Sequence, residues 1–267
     1  MANPELEAQI AAATAYEEFF VPALFAEWGP RLAEAARLAP GDSVLDVGSG
    51  TGVAARAAAQ VVGPTGLVIG IDPNPGMLAV ARRIAPSIEW REGAADALPF
   101  PDGSFDAVLS QFALMFFPDR AKAIAELWRV LKPGGRLAVA VWASLDDTPA
   151  YAAEIHVLQR VAGPRAADAL RAPFVLGDAS KLPAPSRRPG PPPAVATIVG
   201  TARFPSIRAM VETDVRGWLP LMGQHLDETT IATVLAEAER ALAEFRTPEG
   251  EVRFDSPAHV VTAVKPT

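Results

Sequence analysis

The chain has 267 residues, no cysteine and a formal net charge of −7, with 24 basic side chains against 31 acidic ones. The absence of cysteine excludes disulfides, thiolate catalysis and cysteine-based metal centres. The acidic balance argues against a general nucleic-acid-binding protein, which needs a basic face to neutralise phosphates. Proline is unusually frequent, at 26 residues, which is roughly twice its ordinary usage.

The sequence also bears on compartment and metal binding. It has no run of about 18 uncharged apolar residues, so we expect no transmembrane helix. Residues 1–18 carry four glutamates and no basic residue, unlike a secretory or mitochondrial presequence. We therefore expect a cytoplasmic protein. The three histidines are dispersed along the chain, so no metal site is expected.

Taken in chain order, the elements begin with helices and continue as strands that alternate with helices. Residues 4–38 have helical apolar spacing, interrupted by Pro22 and by Gly29-Pro30. Alternation at this spacing predicts parallel βα units in an open, doubly wound α/β sheet. The strands are predicted at 43–47, 67–71, 87–90, 105–110 and 137–142, and the helices between them at 53–62, 75–84 and 120–131.

The alternation weakens beyond Ala143. Helices are predicted at 151–161 and 227–245, and strands at 194–199 and 259–264. The segment Leu182–Pro193 holds six prolines in twelve residues, so it can form neither a helix nor a central strand.

A glycine-rich turn follows the first strand. The segment VLDVGSGTG, residues 44–52, runs from strand into helix, a geometry that brings backbone N–H groups close to a ligand. Val53 breaks the G-x-G-x-x-G dinucleotide pattern, and no Gly-Lys-Ser/Thr follows for a P-loop. Asp72 closes the second strand, where a carboxylate can accept both hydroxyls of a ribose. The pattern favours a nucleoside ligand that has no phosphate group for the protein to bind, such as S-adenosylmethionine.

From Val44 to Trp142 the chain resembles the class I S-adenosylmethionine-dependent methyltransferases, and most of all the small-molecule branch with the ubiquinone/menaquinone C-methyltransferases. The matching segments are VLDVGSGTG (44–52), IGIDPNPGMLAVAR (69–82), EGAADALPFPDGSFDAVLSQFALMFFPD (92–119) and ELWRVLKPGGRLAVAVW (126–142). The resemblance implies a mostly parallel seven-stranded sheet of Rossmann-like type, with S-adenosylmethionine as cofactor and S-adenosylhomocysteine as product.

The resemblance also implies roles for single residues. The turn would cradle the amino-acid part of the cofactor with Asp46 at its base, Asp72 would bind the ribose, and the adenine would lie against the segments after the second and third strands. Gln111 would lie beside the methionyl part, near the point of methyl transfer. The implied cofactor-binding residues are Asp46, Gly48, Ser49, Gly50, Gly52, Asp72, Pro73, Met77, Ala95, Asp96, Ala97 and Gln111.

Methyl transfer from a sulfonium is an in-line displacement, and a general base is needed only where the acceptor starts protonated. The catalytic candidates are His225, in a region expected to lie over the site, Gln111 and Tyr16. Aromatic residues of the N-terminal helices, the strand ends and the C-terminal region should converge on the site. They predict a small, apolar or planar acceptor rather than a nucleic acid.

We expect three parts in one compact domain. They are an N-terminal helical cap (1–40), a cofactor-binding core (41–145) and the remainder of the sheet (146–267), with a helical lid insertion at about 201–250. The resemblance implies a helix where the prolines of 182–193 stand. Loss of that helix and a local reading-frame slip both remain open.

Two other functions remain as alternatives. An NAD-binding oxidoreductase would use a similar strand–turn–helix unit, although Val53 counts against it. A protein that binds S-adenosylmethionine without catalysing a reaction would have the same turn and no acceptor pocket.

Overall fold

The computed structural model describes residues 4–182 and 192–267. Most of the predicted proline-rich segment, residues 183–191, lies outside this part of the chain. The strands are β1 Ser43–Val47, β2 Leu67–Asp72, β3 Glu89–Glu92, β4 Phe105–Gln111, β5 Leu131–Trp142, β6 Ala194–Ile198, β7 Thr201–Phe204, β8 Val252–Asp255 and β9 Ala258–Val264.

α-Helices, two π-helices and several short 3-10 helices accompany the strands. The α-helices are α1 Pro4–Ala15, α2 Trp28–Ala35, α3 Val53–Val62, α4 Pro75–Ile84, α5 Arg120–Arg129, α6 Pro149–Val161, α7 Pro164–Arg171, α8 Ile207–Thr213, α9 Leu219–Leu221 and α10 Glu228–Ala241. The first π-helix is Tyr16–Phe25 and the second is Asp214–Trp218. Helical spacing alone did not reveal either π-helix.

Seven strands form the main sheet in the order β3-β2-β1-β4-β5-β9-β6. β9 runs antiparallel to both of its neighbours, and the other pairings are parallel. The predicted mostly parallel seven-stranded sheet is confirmed. Because helices cover the central strands, these read as continuous apolar runs in the sequence. The strand order reverses between β1 and β4, and this is where ligands bind in open α/β sheets.

The N-terminal helices pack closely on this sheet. A Cβ atom on Gly76 of α4 would lie 2.5 Å from the backbone carbon of Gln9 in α1. One on Gly29 of α2 would lie 2.9 Å from the carbonyl oxygen of Val53. Both glycines therefore permit a helix approach that a larger side chain would prevent.

The C-terminal insertion differs from the predicted helical lid. Its two ends, β7 and β8, pair antiparallel as a separate two-stranded sheet, with Thr201 opposite Asp255. Between them lie α8, the second π-helix, α9 and α10. The two strands therefore hold the ends of the insertion together beside the main sheet. Each strand has only four residues, which is too short to give a clear pattern in the sequence.

Candidate functional site

A cavity of about 510 Å³ opens at the carboxyl ends of β1, β2 and β4. This volume is within the range of ordinary small-molecule sites. The first π-helix, the insertion and the helices α6 and α7 also contribute to its wall. The predicted site residues that line it are Tyr16, Asp46, Gly48, Ser49, Gly50, Asp72, Pro73, Met77, Ala95, Asp96 and Gln111.

Three predicted residues lie outside this lining. Gly52 and Ala97 are not among the lining residues, and Ala97 is exposed. His225, proposed as a catalytic candidate, is exposed on the segment between α9 and α10 and does not reach the cavity. The helical pattern placed that segment over the site but could not orient its side chains.

The glycine turn after β1 has left-handed backbone angles. Gly48 has a φ of +70°, and an added Cβ would lie 2.4 Å from the Cβ of Ala113. Gly50 has a φ of +54°, and an added Cβ would meet no atom within 4 Å. Gly48 thus permits tight packing of the turn, whereas Gly50 borders open space on the cavity.

Gly52 serves the packing behind the turn. It has a φ of +94°, and an added Cβ would lie 2.3 Å from Cη2 of Trp90. The ring of Trp90 has no room to withdraw, because it packs equally closely on Gly70 and its Nε1 donates to the carbonyl of Ala85 at 3.0 Å. The third glycine therefore supports the turn from the side away from the cavity.

Asp46 lies one residue before the end of β1, and its side chain caps α3. The N-cap residue of α3 is Gly52, which has no side-chain acceptor. Oδ2 of Asp46 instead accepts the N–H of Ala55 at 2.9 Å. Oδ1 has no hydrogen-bond donor among the described residues. Burial raises the pKa of Asp46 to about 7, although the bond from Ala55 works against this shift.

Asp72 braces the turn from the neighbouring strand. Its Oδ2 accepts the N–H of Gly50 at 2.8 Å and its Oδ1 accepts the N–H of Asn74 at 2.9 Å. Burial raises its pKa, and the two N–H groups oppose that rise. The N-cap of α4 is Asn74, whose side chain accepts from Gly76 and Met77. Asp72 is therefore free of helix capping, and its remaining lone pairs can accept from a ligand.

Gln111 and Tyr16 both line the cavity and both contact Phe25. Nε2 of Gln111 donates to the carbonyl of Phe25 at 3.2 Å, and its Oε1 has no donor among the described residues. Burial raises the pKa of Tyr16 well above its usual value, and the nearby Glu17 adds to this. Tyr16 therefore keeps its proton at neutral pH and can act as a hydrogen-bond donor rather than a base.

Aromatic rings form the wall beyond Gln111. Phe112 and Trp142 stack with ring centroids 3.8 Å apart, and Phe25 lies within 5.8 Å of both. Tyr16 stacks on Phe25 at 5.3 Å. These rings make this end of the cavity apolar, as the sequence predicted from the clustering of aromatic residues.

Sequence reasoning missed an acidic pair at the far wall. Asp214, at the start of the second π-helix, and Tyr151 of α6 both line the cavity. Glu154, one helical turn after Tyr151, is fully buried and lies close to Asp214. A signal was present, since Asp214 continues the apolar stripe of Ile207, Met210 and Val211. An acidic residue on the apolar face of a helix indicates a carboxyl group that is buried together with that face.

Residues 45–139 match the family model described as "Methyltransferase domain". This part of the chain is similar to a methyltransferase domain. It includes the glycine turn, Asp72 and Gln111, and it confirms the family expected from the motifs.

None of the helices in the described ranges is long and apolar enough to cross a membrane.

Curated relatives of this methyltransferase domain include two quinone-pathway enzymes and an arsenite enzyme. A demethylmenaquinone methyltransferase of Renibacterium salmoninarum is 44% identical over 114 residues, 42% of this chain and 46% of that protein. A ubiquinone/menaquinone biosynthesis C-methyltransferase of Hahella chejuensis is 44% identical over 37% of this chain and 42% of its own. An arsenite methyltransferase of Halobacterium salinarum is 41% identical over 39% of this chain and 28% of its own. The matches thus span less than half of each relative.

Solved structures resemble the methyltransferase domain and its surroundings in fold. A putative methyltransferase of Bacillus halodurans has a TM-score of 0.54 at 21% identity, over 90% of this chain and 99% of its own. A Haemonchus contortus phosphoethanolamine N-methyltransferase was solved with phosphomonomethylethanolamine and S-adenosylhomocysteine. It has a TM-score of 0.57 at 16% identity, over 97% of this chain and 58% of its own. At these identities the likeness concerns the fold.

The glycines of the turn generate a prediction about stability. We expect Gly52→Ala to lower the free energy of unfolding by about 1–3 kcal/mol more than Gly50→Ala, measured by urea denaturation. Both substitutions force alanine into a left-handed conformation, but only position 52 adds a clash with Trp90. Equal losses in the two variants would show that the ring of Trp90 yields.

The acidic pair generates a prediction about pH. Burial raises the pKa of Glu154 from 4.5 to about 8, so the folded protein keeps a proton that the unfolded chain releases. The resulting stabilisation is complete below pH about 4.5 and is lost as the pH rises towards 8. Between these limits wild type should lose up to about 1.4 kcal/mol of stability per pH unit relative to Glu154→Gln.

Urea denaturation of both proteins across this pH window measures that difference. The glutamine side chain has a similar size but cannot ionise, so the titratable groups outside the acidic pair cancel in the comparison. Parallel curves of stability against pH for the two proteins would contradict the raised pKa of Glu154.

Proposed function

We propose that this protein is an S-adenosylmethionine-dependent methyltransferase that methylates a small acceptor with an apolar body. The observation that carries the proposal is one continuous cavity with two chemically different ends. At one end lie the glycine turn and Asp72 of a methyltransferase domain. At the other end lie aromatic rings such as Trp142 and Trp218.

The described residues fit this cofactor. Buried polar atoms on the cofactor side lack partners among the described residues, and they include Oδ1 of Asp46, Oγ of Ser49 and Oε1 of Gln111. The space in front of Gly50 is open. In the proposal the turn holds the amino-acid part, Asp72 accepts from the ribose hydroxyls, and the adenine lies among Pro73, Met77, Ala95 and Asp96.

The hydrogen bonds of the turn disfavour a dinucleotide. Gly48 and Ser49 both donate their N–H groups to the carbonyl of Ile71, Gly50 donates to Asp72, and Gly52 donates to the carbonyl of Ser49. A pyrophosphate site needs such N–H groups free at a helix N-terminus. Here four of them are taken, and a phosphate would lie beside the carboxylate of Asp72.

Bound S-adenosylmethionine supplies an electrophilic methyl group. The contribution of the chain is to hold the cofactor and the acceptor in a fixed relative orientation, which can provide about 7–11 kcal/mol. Gln111 is placed between the turn and the aromatic wall, and its Nε2 is already engaged by the carbonyl of Phe25. Its free Oε1 can therefore orient a ligand without a change of rotamer.

The parts of the chain divide these tasks in the proposal. The core, residues 41–145, holds the cofactor, while the cap, residues 1–40, and the insertion shape the acceptor pocket. An apolar pocket in a protein of net charge −7 favours a small organic acceptor over a nucleic acid.

Calorimetric titration tests the cofactor. We expect saturable binding of S-adenosylmethionine and S-adenosylhomocysteine and no binding of NAD at the same concentrations, because the N–H groups that a pyrophosphate needs are occupied. Binding of NAD alone would overturn the proposal. A screen of small aromatic acceptors with a radiolabelled methyl donor then tests catalysis, and transfer to none of them would favour the non-catalytic alternative.

Replacement of Asp72 tests the ribose contact. Asp72→Asn should weaken S-adenosylhomocysteine binding by at least about 1.5 kcal/mol, roughly tenfold, because a charge-assisted hydrogen bond is lost. Asp106→Asn is the matched control, since Asp106 also accepts a backbone N–H, from Ser43, but does not line the cavity. Unchanged binding in Asp72→Asn, or an equal loss in Asp106→Asn, would contradict the assignment.

A further inference from the structure

The acceptor end of the cavity holds one acidic group in an apolar wall. Asp214 lines the cavity, is 1% exposed, and its Oδ2 has no hydrogen-bond donor among the described residues. Its neighbours in that wall include Tyr151, Phe174, Trp218 and Leu170. A buried carboxyl group without a donor costs several kcal/mol, so its presence there calls for an explanation.

Glu154 lies behind Asp214 and does not line the cavity. It is fully buried, and neither of its oxygens has a donor among the described residues. The two carboxyl groups lie close together in the apolar interior, where they do not both ionise. Burial, with the charge of Glu154 added, raises the pKa of Asp214. The pair therefore carries at most one negative charge and keeps acceptor capacity towards the cavity.

The helices themselves do not require these acids. Glu154 follows Tyr151 and precedes Ile155 and Leu158 on the buried face of α6, where leucine or methionine would pack without the cost of desolvation. Even buried pairs of opposite charge can often be replaced by apolar residues with no loss of stability, and two buried acids lack that mutual attraction. Their placement against a cavity therefore points to a ligand rather than to folding.

The cavity lining limits what this ligand can carry. No lysine, arginine or histidine is among the lining residues in the described part of the chain, so a carboxylate or phosphate on the acceptor would find no cationic partner. A carboxyl pair can instead accept from a hydroxyl or an ammonium group. The surrounding rings suit an apolar, ring-bearing body.

We propose that Asp214, positioned by Glu154, anchors the methyl acceptor through a hydrogen-bond donor, either a hydroxyl or an ammonium group, on an otherwise apolar ring-bearing molecule. The identification of this ligand as the methyl acceptor rests on the proposed function. The binding preference itself does not, because it can be measured without cofactor or turnover.

Three probes of one shape test the preference by equilibrium dialysis with the whole 267-residue chain. They are 1-naphthylmethanol, 1-naphthylmethylamine and 1-ethylnaphthalene, which differ only in the terminal OH, NH₃⁺ or CH₃ group. We expect at least one of the two polar probes to bind about tenfold more tightly than the ethyl compound. The probe with the higher affinity distinguishes a hydroxyl from an ammonium acceptor.

Variants of Asp214 assign the preference to this side chain. Asp214→Leu should remove it, whereas Asp214→Asn should keep any preference for the hydroxyl and lose that for the ammonium. Asp168→Leu is the control, since Asp168 lies on α7 beside the cavity wall, pairs with Arg171 and does not line the cavity. It removes a nearby charge without altering the proposed contact.

The outcomes separate this inference from the proposed function. Equal binding of the three probes, binding of none, or a preference that survives Asp214→Leu would overturn the anchor. Unchanged S-adenosylhomocysteine affinity in Asp214→Leu is expected and shows that the variant is folded. Failure of wild type to bind S-adenosylhomocysteine would instead count against the proposed function and leave the probe preference as a separate result.

Discussion

The hydrogen bond from the N–H of Ala55 to the buried carboxylate of Asp46 is the interaction on which the cofactor side depends. A helix N-terminus needs acceptors for its first N–H groups, and the residue at the N-cap usually provides one. Here the N-cap is Gly52, and the acceptor comes from the preceding strand instead. The turn can therefore consist of glycines in left-handed conformations and still begin a stable helix.

Asp72 completes this arrangement from the next strand. Because β1 and β2 are parallel neighbours in register, the ends of both strands lie at the same edge of the sheet, and Asp72 reaches the N–H of Gly50. Two carboxylates thus fix a turn that has little side-chain bulk of its own. The same two groups are hydrogen-bond acceptors at this end of the cavity, which suits hydroxyl and ammonium groups on a ligand and opposes phosphate.

Much of the core could be predicted from the sequence, and the reason is local. A buried parallel strand must be apolar throughout, so LVIGI and LAVAVW stand out, and glycines mark a turn where a side chain would clash. The insertion gave weaker signals. Four-residue strands such as β7 carry little pattern, and the π-helices depend on tertiary packing rather than on helical periodicity. His225 was a candidate because its segment was expected to lie over the site, but the position of a segment does not determine where a side chain points.

The two π-helices join the cofactor end of the cavity to its acceptor end, because residues of both line the cavity. The first is held at its start by Glu17, whose partner Arg56 also donates to the carbonyl of Thr51 in the glycine turn, at 2.9 and 2.7 Å. At its end, its Phe25 carbonyl accepts from Gln111. π-helical turns are rare and concentrate at functional sites, where they redirect side chains.

The second π-helix meets the first at Gly217, where an added Cβ would lie 3.1 Å from the ring of Phe20. Asp214 and Trp218 belong to the same turn and point into the same cavity wall. The position of the acidic anchor is therefore set by packing against the first π-helix, which the cofactor turn itself holds. Arg56 and Phe20 thus connect the glycine turn with the helix that carries Asp214 through a continuous series of contacts.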